Sequence, residues 1–329
     1  MGVCTCLRYL LHVVYLLMED YPKTLMELEK RFNTEEACRE YLFELRWPNG
    51  FQCPRCGQQK FWAGNRGLYE CAGCGFQTSI MAGTIFQDTK KPLSLWLRAI
   101  WHVTSQKYGA NALGLQRVLG FGSYRTAWIW LHKLRRAMVR PGRDRISGIV
   151  EVDESYIGGK KAGKRGRGAA GKALVVIAAQ LDGSRIGRIR LRQVPDASAE
   201  SLEYAVEQAI EPGSKVRTDG WKGYNRLNRL GYIHEVVREE ADVGNNLLPS
   251  CHRTSGLLKR WLLGTHQGAI SGEHLDYYLD EFTFRFNRRT SRHRGKLFYR
   301  LLQQAMAVEP VPLKSLVKHA RGRKPQHNI

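Results

Sequence analysis

The sequence predicts a multidomain chain: a small cysteine-rich metal module and a helical region, followed by an α/β domain built on a mixed sheet. Three observations predict it. Two CxxC pairs stand close together, with fourteen residues between Cys56 and Cys71. Helical apolar spacing runs on either side of them as far as about residue 141. From residue 147 the texture changes to β-branched runs, three in succession and then alternating with helical stretches.

The 329 residues leave room for several domains. Lys and Arg number 52 against 30 acids, a net charge of +22. A balance this basic favours a polyanionic partner, and nucleic acid first, because neutralising phosphates releases counterions. No uninterrupted apolar run reaches the roughly 20 residues of a spanning helix, so no membrane partner is expected. Residues 1–17, "MGVCTCLRYLLHVVYLL", read as an extension ahead of a natural helical opening at Met18. A signal sequence is the alternative, with one positive charge before its apolar stretch and no small-residue cleavage site. Eight cysteines, four of them in tight pairs, suit a reducing compartment, and a cytoplasmic location is expected.

Residues 18–48 read as helices ("TLMELEKRF", "TEEACREYLFELRW"), the second opening at Thr34. Residues 49–84 contain "CPRCG" and "CAGCG". Cys53, Cys56, Cys71 and Cys74 make a closed set of four thiolates, which suits structural zinc in tetrahedral coordination. Gly57 and Gly75 follow the pairs and permit the sharp turns. With "RGLYE" and "FQTSI" as hairpin strands this is a zinc ribbon, a redox pair being the competing reading. Residues 85–146 are helical, and "NALGLQRVLGFGSYRTAWIWLHKLRRAM" has the layout of a helix-turn-helix, turning at residues 120–122 and capped at Ser123. Arg125, Lys133, Arg135 and Arg136 are expected to face DNA phosphates there, while Trp128, Trp130 and Leu131 pack. A three-helix bundle with a solvated basic face is the plain alternative.

Within residues 147–306 strands are expected at 149–157, 173–180 and 186–192, then a helix at 198–210 and a strand at 214–218. A short helix, a strand at 232–237 and a helix at 252–263 follow. A three-strand meander followed by alternation gives a mixed sheet, with Asp153 on the first strand and Asp219 ending the fourth. That order matches an RNase H-like domain, whose acids on those two strands hold divalent metal. A carboxylate facing a core is costly unless it is paired or coordinating. Singly, Asp153 reads as a strand-edge acid and Asp219 as a turn residue. Jointly they suit phosphoryl chemistry between two metal ions about 4 Å apart.

The stretches "VDESYIGG", "TDGWKGY", "LLKRWLLGTHQG" and "YLDEFTFRFNRR", behind a CPRC ribbon, resemble bacterial insertion-sequence transposases related to the Merlin elements. The resemblance covers about residues 20–305. It implies a DDE-type enzyme that cleaves the ends of its element and joins the freed 3′-hydroxyls to target DNA, acting as a homo-oligomer on DNA. Composition and spacing alone stop at a basic, ribbon-bearing, metal-dependent nucleic-acid enzyme. The resemblance further implies a third ligand, usually Glu or Asn, seven residues before a Lys. Here Lys259 stands in the LLKR context and His252 seven residues earlier, so both share one helix face. Asp153, Asp219 and His252 are therefore expected to hold Mg²⁺ or Mn²⁺, imidazole nitrogen suiting Mn²⁺ better. Lys259 is expected at a phosphate near the cleaved bond. The plain alternatives are a His252 that caps or packs and a Lys259 on a solvated face. Glu239, Glu240 and Glu281 are the other acids considered, with Glu281 expected to pair with Arg285.

Two basic segments complete the reading. Residues 158–172 carry six cations and no acid, and a loop ordered by nucleic acid is expected through Lys160, Lys161, Lys164, Arg165 and Arg167. Residues 285–300 carry seven Lys or Arg and no acid, with Arg288 and Arg289 expected on DNA and a solvated charge run as the alternative. Residues 307–329 read as a basic tail. A transposase is the expected function. The rivals are a catalytically inactive zinc-ribbon DNA-binding regulator and a nuclease of the same RNase H-like fold.

Overall fold

The computed structural model describes residues 19–140, 142–158, 172–237, 247–268 and 270–318. The expected extension at 1–17, the cations Lys160, Lys161, Lys164, Arg165 and Arg167, the acids Glu239 and Glu240, and the tail from 319 onward lie outside these residues. The chain divides into two units. The first holds the described residues before position 141 together with Ser291–Leu316, and the second holds Gly142–Thr290.

In the first unit, α1 (Leu25–Arg31) and α2 (Glu35–Arg46) each open on a threonine. The Thr24 hydroxyl accepts the Glu27 N–H at 3.1 Å, and Thr34 accepts that of Ala37 at 3.2 Å. Each cap satisfies an otherwise orphaned amide and is worth about 1 kcal/mol. Three short strands, β1 (Phe61–Ala63), β2 (Leu68–Cys71) and β3 (Gln77–Ser79), pair antiparallel in chain order. The helices α3 (Leu93–Ser105), α4 (Ala112–Leu119) and α5 (Tyr124–Ala137) follow. The Asn111 side chain caps α4, which ends at Gly120 in the left-handed conformation. Ser123 stands at the N-cap of α5, as expected, though its hydroxyl makes no capping bond. Trp96 of α3 stacks on Trp130 of α5 at 3.5 Å between ring centroids. The helix α9 (Arg294–Ala307) buries Leu297, Phe298, Leu301 and Leu302 and packs on α2, α3 and α5; the short α10 (Leu313–Lys318) closes the described chain.

The second unit is a five-stranded sheet in the order β6-β5-β4-β7-β8. Strands β4 (Ile149–Ile157), β5 (Ala173–Asp182) and β6 (Arg185–Val194) form the antiparallel meander. Strands β7 (Lys215–Thr218) and β8 (Ile233–Val236) run parallel to β4, so the sheet is mixed as expected. Helix α6 (Ala199–Ala209) covers one face, where Val150, Val152, Val176 and Ala178 meet Leu202 and Val206. Helices α7 (Pro249–His266) and α8 (Leu275–Phe286) cover the other, where Val175, Ile177, Ile189 and Leu191 meet Leu258, Leu262, Leu279 and Phe282. Strand alternation therefore gives β4 two different sides. Val150, Val152 and Tyr156 point to α6, and Glu151, Asp153, Ser155 and Ile157 to α7. Helix α7 is longer than the expected 252–263 because Pro249, with its fixed φ and no N–H to satisfy, opens it a turn earlier.

Candidate functional site

The cysteine site is built by two knuckles. Gly57 (φ 76°) and Gly75 (φ 64°) adopt the left-handed conformation that lets the chain reverse behind each pair. The ligand atoms of Cys53, Cys56, Cys71 and Cys74 all lie within 4.8 Å of one another. Zn–S bonds of about 2.3 Å in a tetrahedron imply sulfur–sulfur edges of about 3.8 Å. Cys53 and Cys74 are 3.7 Å apart and Cys56 and Cys71 3.5 Å, so the four sulfurs fit that ion. Backbone N–H groups point at two of the sulfurs: Arg55 donates to Cys53 Sγ and Gly73 to Cys71 Sγ, each at 3.4 Å. The aromatic rings of Phe43, Trp47, Phe51, Phe61 and Tyr69 pack beside the site and fix the ribbon.

In the second unit the side of β4 that faces α7 meets that helix residue by residue. Glu151, 4% exposed, accepts the Ser250 N–H at 2.7 Å and the Cys251 N–H at 3.2 Å through Oε2. Helix α7 has no side-chain cap of its own at Leu248, so Glu151 supplies one from β4 and puts its charge at the positive helix end. Two residues on, Asp153 Oδ2 lies 3.3 Å from His252 Nε2. Two further on, the Ser155 and Ser255 hydroxyls are 2.7 Å apart. Lys259 is exposed on the same helix. Partial burial and then Lys172 hold its ammonium below the usual lysine range, with Asp153 pulling the other way.

Asp219 is set by the strand beside β4. The register pairs Ile149 with Lys215 and Glu151 with Arg217. Carried two residues further, it brings Asp153 level with Asp219, just past the end of β7, and neighbouring strands run about 4.8 Å apart. There Asp219 Oδ1 accepts the Trp221 N–H at 3.0 Å, and the Trp221 indole donates to Ala197 O at 3.0 Å. Among the described residues, the four cysteines are the one group of three or more His, Cys, Asp or Glu with ligand atoms within 4.8 Å of one another. The structure thus brings together Asp153 and His252, and brings Asp219 into register without closing a three-ligand cluster. Two ligands of one ion at about 2.1 Å stand about 3 Å apart in octahedral geometry. The Asp153–His252 pair fits such an ion.

Glu281 is buried at 0% exposure and pairs with Arg285 at 2.9 Å, as expected, leaving it committed within α8. Of the four cations expected to face DNA from α5, Arg125 and Arg136 are exposed. Lys133 is half-buried and donates to Ile85 O at 3.3 Å. Arg135 is a correction: at 2% exposure it is enclosed by the bundle, because its neighbours Leu131 and Leu134 on α5 and Met138 at the helix C-cap all pack inward. Arg288 lies over the Phe284 ring at 4.1 Å, and exposed Arg289 lies over Phe286 at 4.1 Å while donating to carbonyls of Ile186 and Gly187. Glu151 was missed by sequence reasoning. Its signal was present, a second carboxylate at i−2 on the side of the strand that carries Asp153, but its partners are 99 and 100 residues away.

A cysteine ribbon ahead of a mixed sheet is the domain order of the transposases that the sequence resembles. Comparison with known proteins agrees in both units. Residues 145–287 match the ISXO2-like transposase domain and residues 33–77 the transposase zinc-ribbon domain. The chain belongs to the insertion-sequence transposases that carry these two domains. It is also similar, at 24% identity over 288 residues, to an uncharacterized protein in transposable element ISH50 of Halobacterium salinarum, covering 81% of this chain and 95% of that one. No helix among the described residues is long and apolar enough to cross a membrane.

Proposed function

We propose that the protein is the transposase of an insertion sequence, cutting the element's ends and transferring the freed 3′ strands to target DNA. The second unit is read as RNase H-like, and α4–α5 as a helix-turn-helix that presents Arg125 and Arg136 to DNA. The ribbon holds structural zinc through Cys53, Cys56, Cys71 and Cys74. Asp153, Asp219 and His252 would hold Mg²⁺ or Mn²⁺, which would supply Lewis-acid stabilisation of the charge developing on the phosphoryl group. The observation that carries this reading is the Asp153–His252 contact of 3.3 Å, with Asp219 in register beside it.

The chain's own residues have distinct parts. Asp153 accepts from His252 Nε2 when that nitrogen carries a proton, and the neutral imidazole would serve as a metal ligand beside the carboxylate. Asp219 is oriented beside the site by the Trp221 N–H, which its Oδ1 accepts. Lys259, seven residues along α7 from His252, places a cation where a phosphate flanking the reacting bond would lie. Water first and the DNA 3′-hydroxyl later act as nucleophile, so no side-chain nucleophile is needed. Two ends must be brought together, and a homo-oligomer on DNA follows from that.

The test is cleavage of DNA carrying the element's flanks, with Mg²⁺ or Mn²⁺, by the parent, Asp219→Asn and His252→Ala. The reading expects cleavage by the parent and loss of at least a hundredfold in both variants. Tight end binding without cleavage under either metal would instead make the protein an inactive regulator. Cleavage indifferent to the element's ends would make it a nuclease.

A further inference from the structure

The face of the sheet opposite Asp153 and His252 carries a second cationic feature that the reaction centre does not use. On β6, Arg190 and Arg192 pair with Ala178 and Val176 of β5 and so point to the α6 side. They line a pocket with Arg143 and Gln208, floored by Val176 and Ala178. Arg190 is 8% exposed and donates to Asp144 O at 2.5 Å, which fixes its fork. The Arg192 guanidinium lies 4.6 Å over the Tyr204 ring and donates to its hydroxyl at 3.3 Å. Gln208 and Tyr204 are exposed, so the pocket opens to solvent at its α6 rim.

Three guanidiniums around one apolar-floored pocket repel one another. Burial, then Arg143 and Arg188, bring Arg190 down to about 10, with Asp144 opposing. Burial lowers Arg143 as well, with Asp280 opposing and Arg192 adding to the fall. Like charges kept together in a partly dry place are costly unless an anion completes the set. Planar forks held by carbonyls and a ring are organised for a tetrahedral oxyanion with several acceptor oxygens.

We propose that Arg143, Arg190 and Arg192 form a phosphate-binding pocket that grips the backbone of the transposase's DNA on the sheet face opposite the reaction centre. This rests on the reading of the second unit as a DNA-acting domain. The pocket holds a segment other than the one being cut and carries no sequence information, since phosphates are common to every site.

The test uses the full chain without divalent metal, so that binding is read apart from cleavage. Affinity for a labelled DNA duplex is measured against salt for the parent, Arg143→Ala and Arg192→Ala, with Arg229→Ala, an exposed arginine elsewhere in the unit, as the charge control. Each pocket variant is expected to weaken binding severalfold more than the control and to flatten the slope of log K against log salt by about 0.9. Thermal midpoints separate contact from packing. Arg143→Ala removes a cation that burial disfavours and that Asp280 only partly offsets, so its midpoint should change little, and Arg143→Lys should recover part of the affinity. A lowered midpoint for both Arg143 variants, or affinity and slope no different from the control, would overturn the proposal. Inorganic phosphate at matched ionic strength is the second arm. Stabilisation of the parent by phosphate, with DNA binding unchanged in the variants, would assign the pocket to a free phosphorylated ligand and overturn the DNA assignment. A parent that binds through these arginines but cleaves nothing would leave the pocket standing and sink the transposase reaction alone.

Discussion

Glu151 Oε2 and the Ser250 N–H are 2.7 Å apart, joining the central strand to the first turn of α7. The bond sits one residue before Cys251, whose N–H is shared, and two before His252. Removing the carboxylate leaves two buried amides without an acceptor, at a cost of about 1–3 kcal/mol each. Glu151→Ala is therefore expected to destabilise the chain by about 2–4 kcal/mol in urea unfolding. Glu151→Gln retains an acceptor oxygen and should lose less than half of that. Equal losses in the two variants would mean that the charge, and not the hydrogen bonds, holds the helix.

The buried pair of α8 should respond more sharply. Glu281 has 1% of its side chain exposed and Arg285 14%. Breaking such a pair from one side strands the other charge, typically at about 3–5 kcal/mol. Glu281→Ala should fall in that range by the same measurement, whereas an exposed pair such as Arg98 with Glu29 should give less than about 1 kcal/mol. A small loss for Glu281→Ala would show that Arg285 finds a replacement partner.

On the proposed reading, His252 sets a metal preference. Mg²⁺ favours oxygen donors, and imidazole is tolerated better by Mn²⁺. The parent should cleave faster with Mn²⁺ than with Mg²⁺, and His252→Glu should narrow the gap by restoring a third oxygen donor. Rates measured with each ion decide it. A preference identical in parent and variant would place position 252 outside the metal's reach.

Zinc and the ribbon should stand or fall together. The ribbon's strands are three or four residues long and its buried cluster is little more than the ring set beside the cysteines. Metal binding can supply about 10 kcal/mol or more to such a module. Chelation, or Cys71→Ser, is expected to abolish bound zinc and open residues 49–84 to protease while β4–β8 stay protected. Persistence of the protected ribbon without zinc would make the aromatic cluster sufficient by itself.

How far the sequence discloses this site depends on the range of each interaction. The cysteines were legible because four ligands at knuckle spacing state their own geometry. Asp153 stood out because alternation along β4 shows a carboxylate on a side otherwise meant for a core, whereas Asp219 alone reads as an Asp-Gly turn residue and became a candidate only through the strand order it shares with Asp153. His252 was singled out through the resemblance, which implies a ligand seven residues before Lys259, and the helix repeat then puts the two on one face. Glu151 was hidden because its partners are backbone amides of a helix far along the chain, and no side-chain type advertises an amide. Arg135 misled for the converse reason. It shares a basic run with exposed Arg136, and only the helices packed around it decide that it is inside.

Gly256 offers a prediction in which stability and activity move in opposite directions. It lies in the middle of α7 on the exposed side, one turn from His252 and one turn from Lys259 and Arg260. A Cβ placed there would meet nothing within 4 Å, so no packing in the chain calls for glycine. Within a helix, alanine is favoured over glycine by about 1 kcal/mol. Gly256→Ala should raise the thermal midpoint by about 2–4 °C. On the proposed reading DNA lies along this side of α7, held by Lys259, and a methyl group between the His252 and Lys259 turns would stand under its backbone. Cleavage should then fall severalfold in the more stable protein. A packing role would lower both quantities together, and a neutral position would raise the midpoint and leave cleavage alone. The latter result would mean that the DNA backbone passes above α7 without approaching it at this turn.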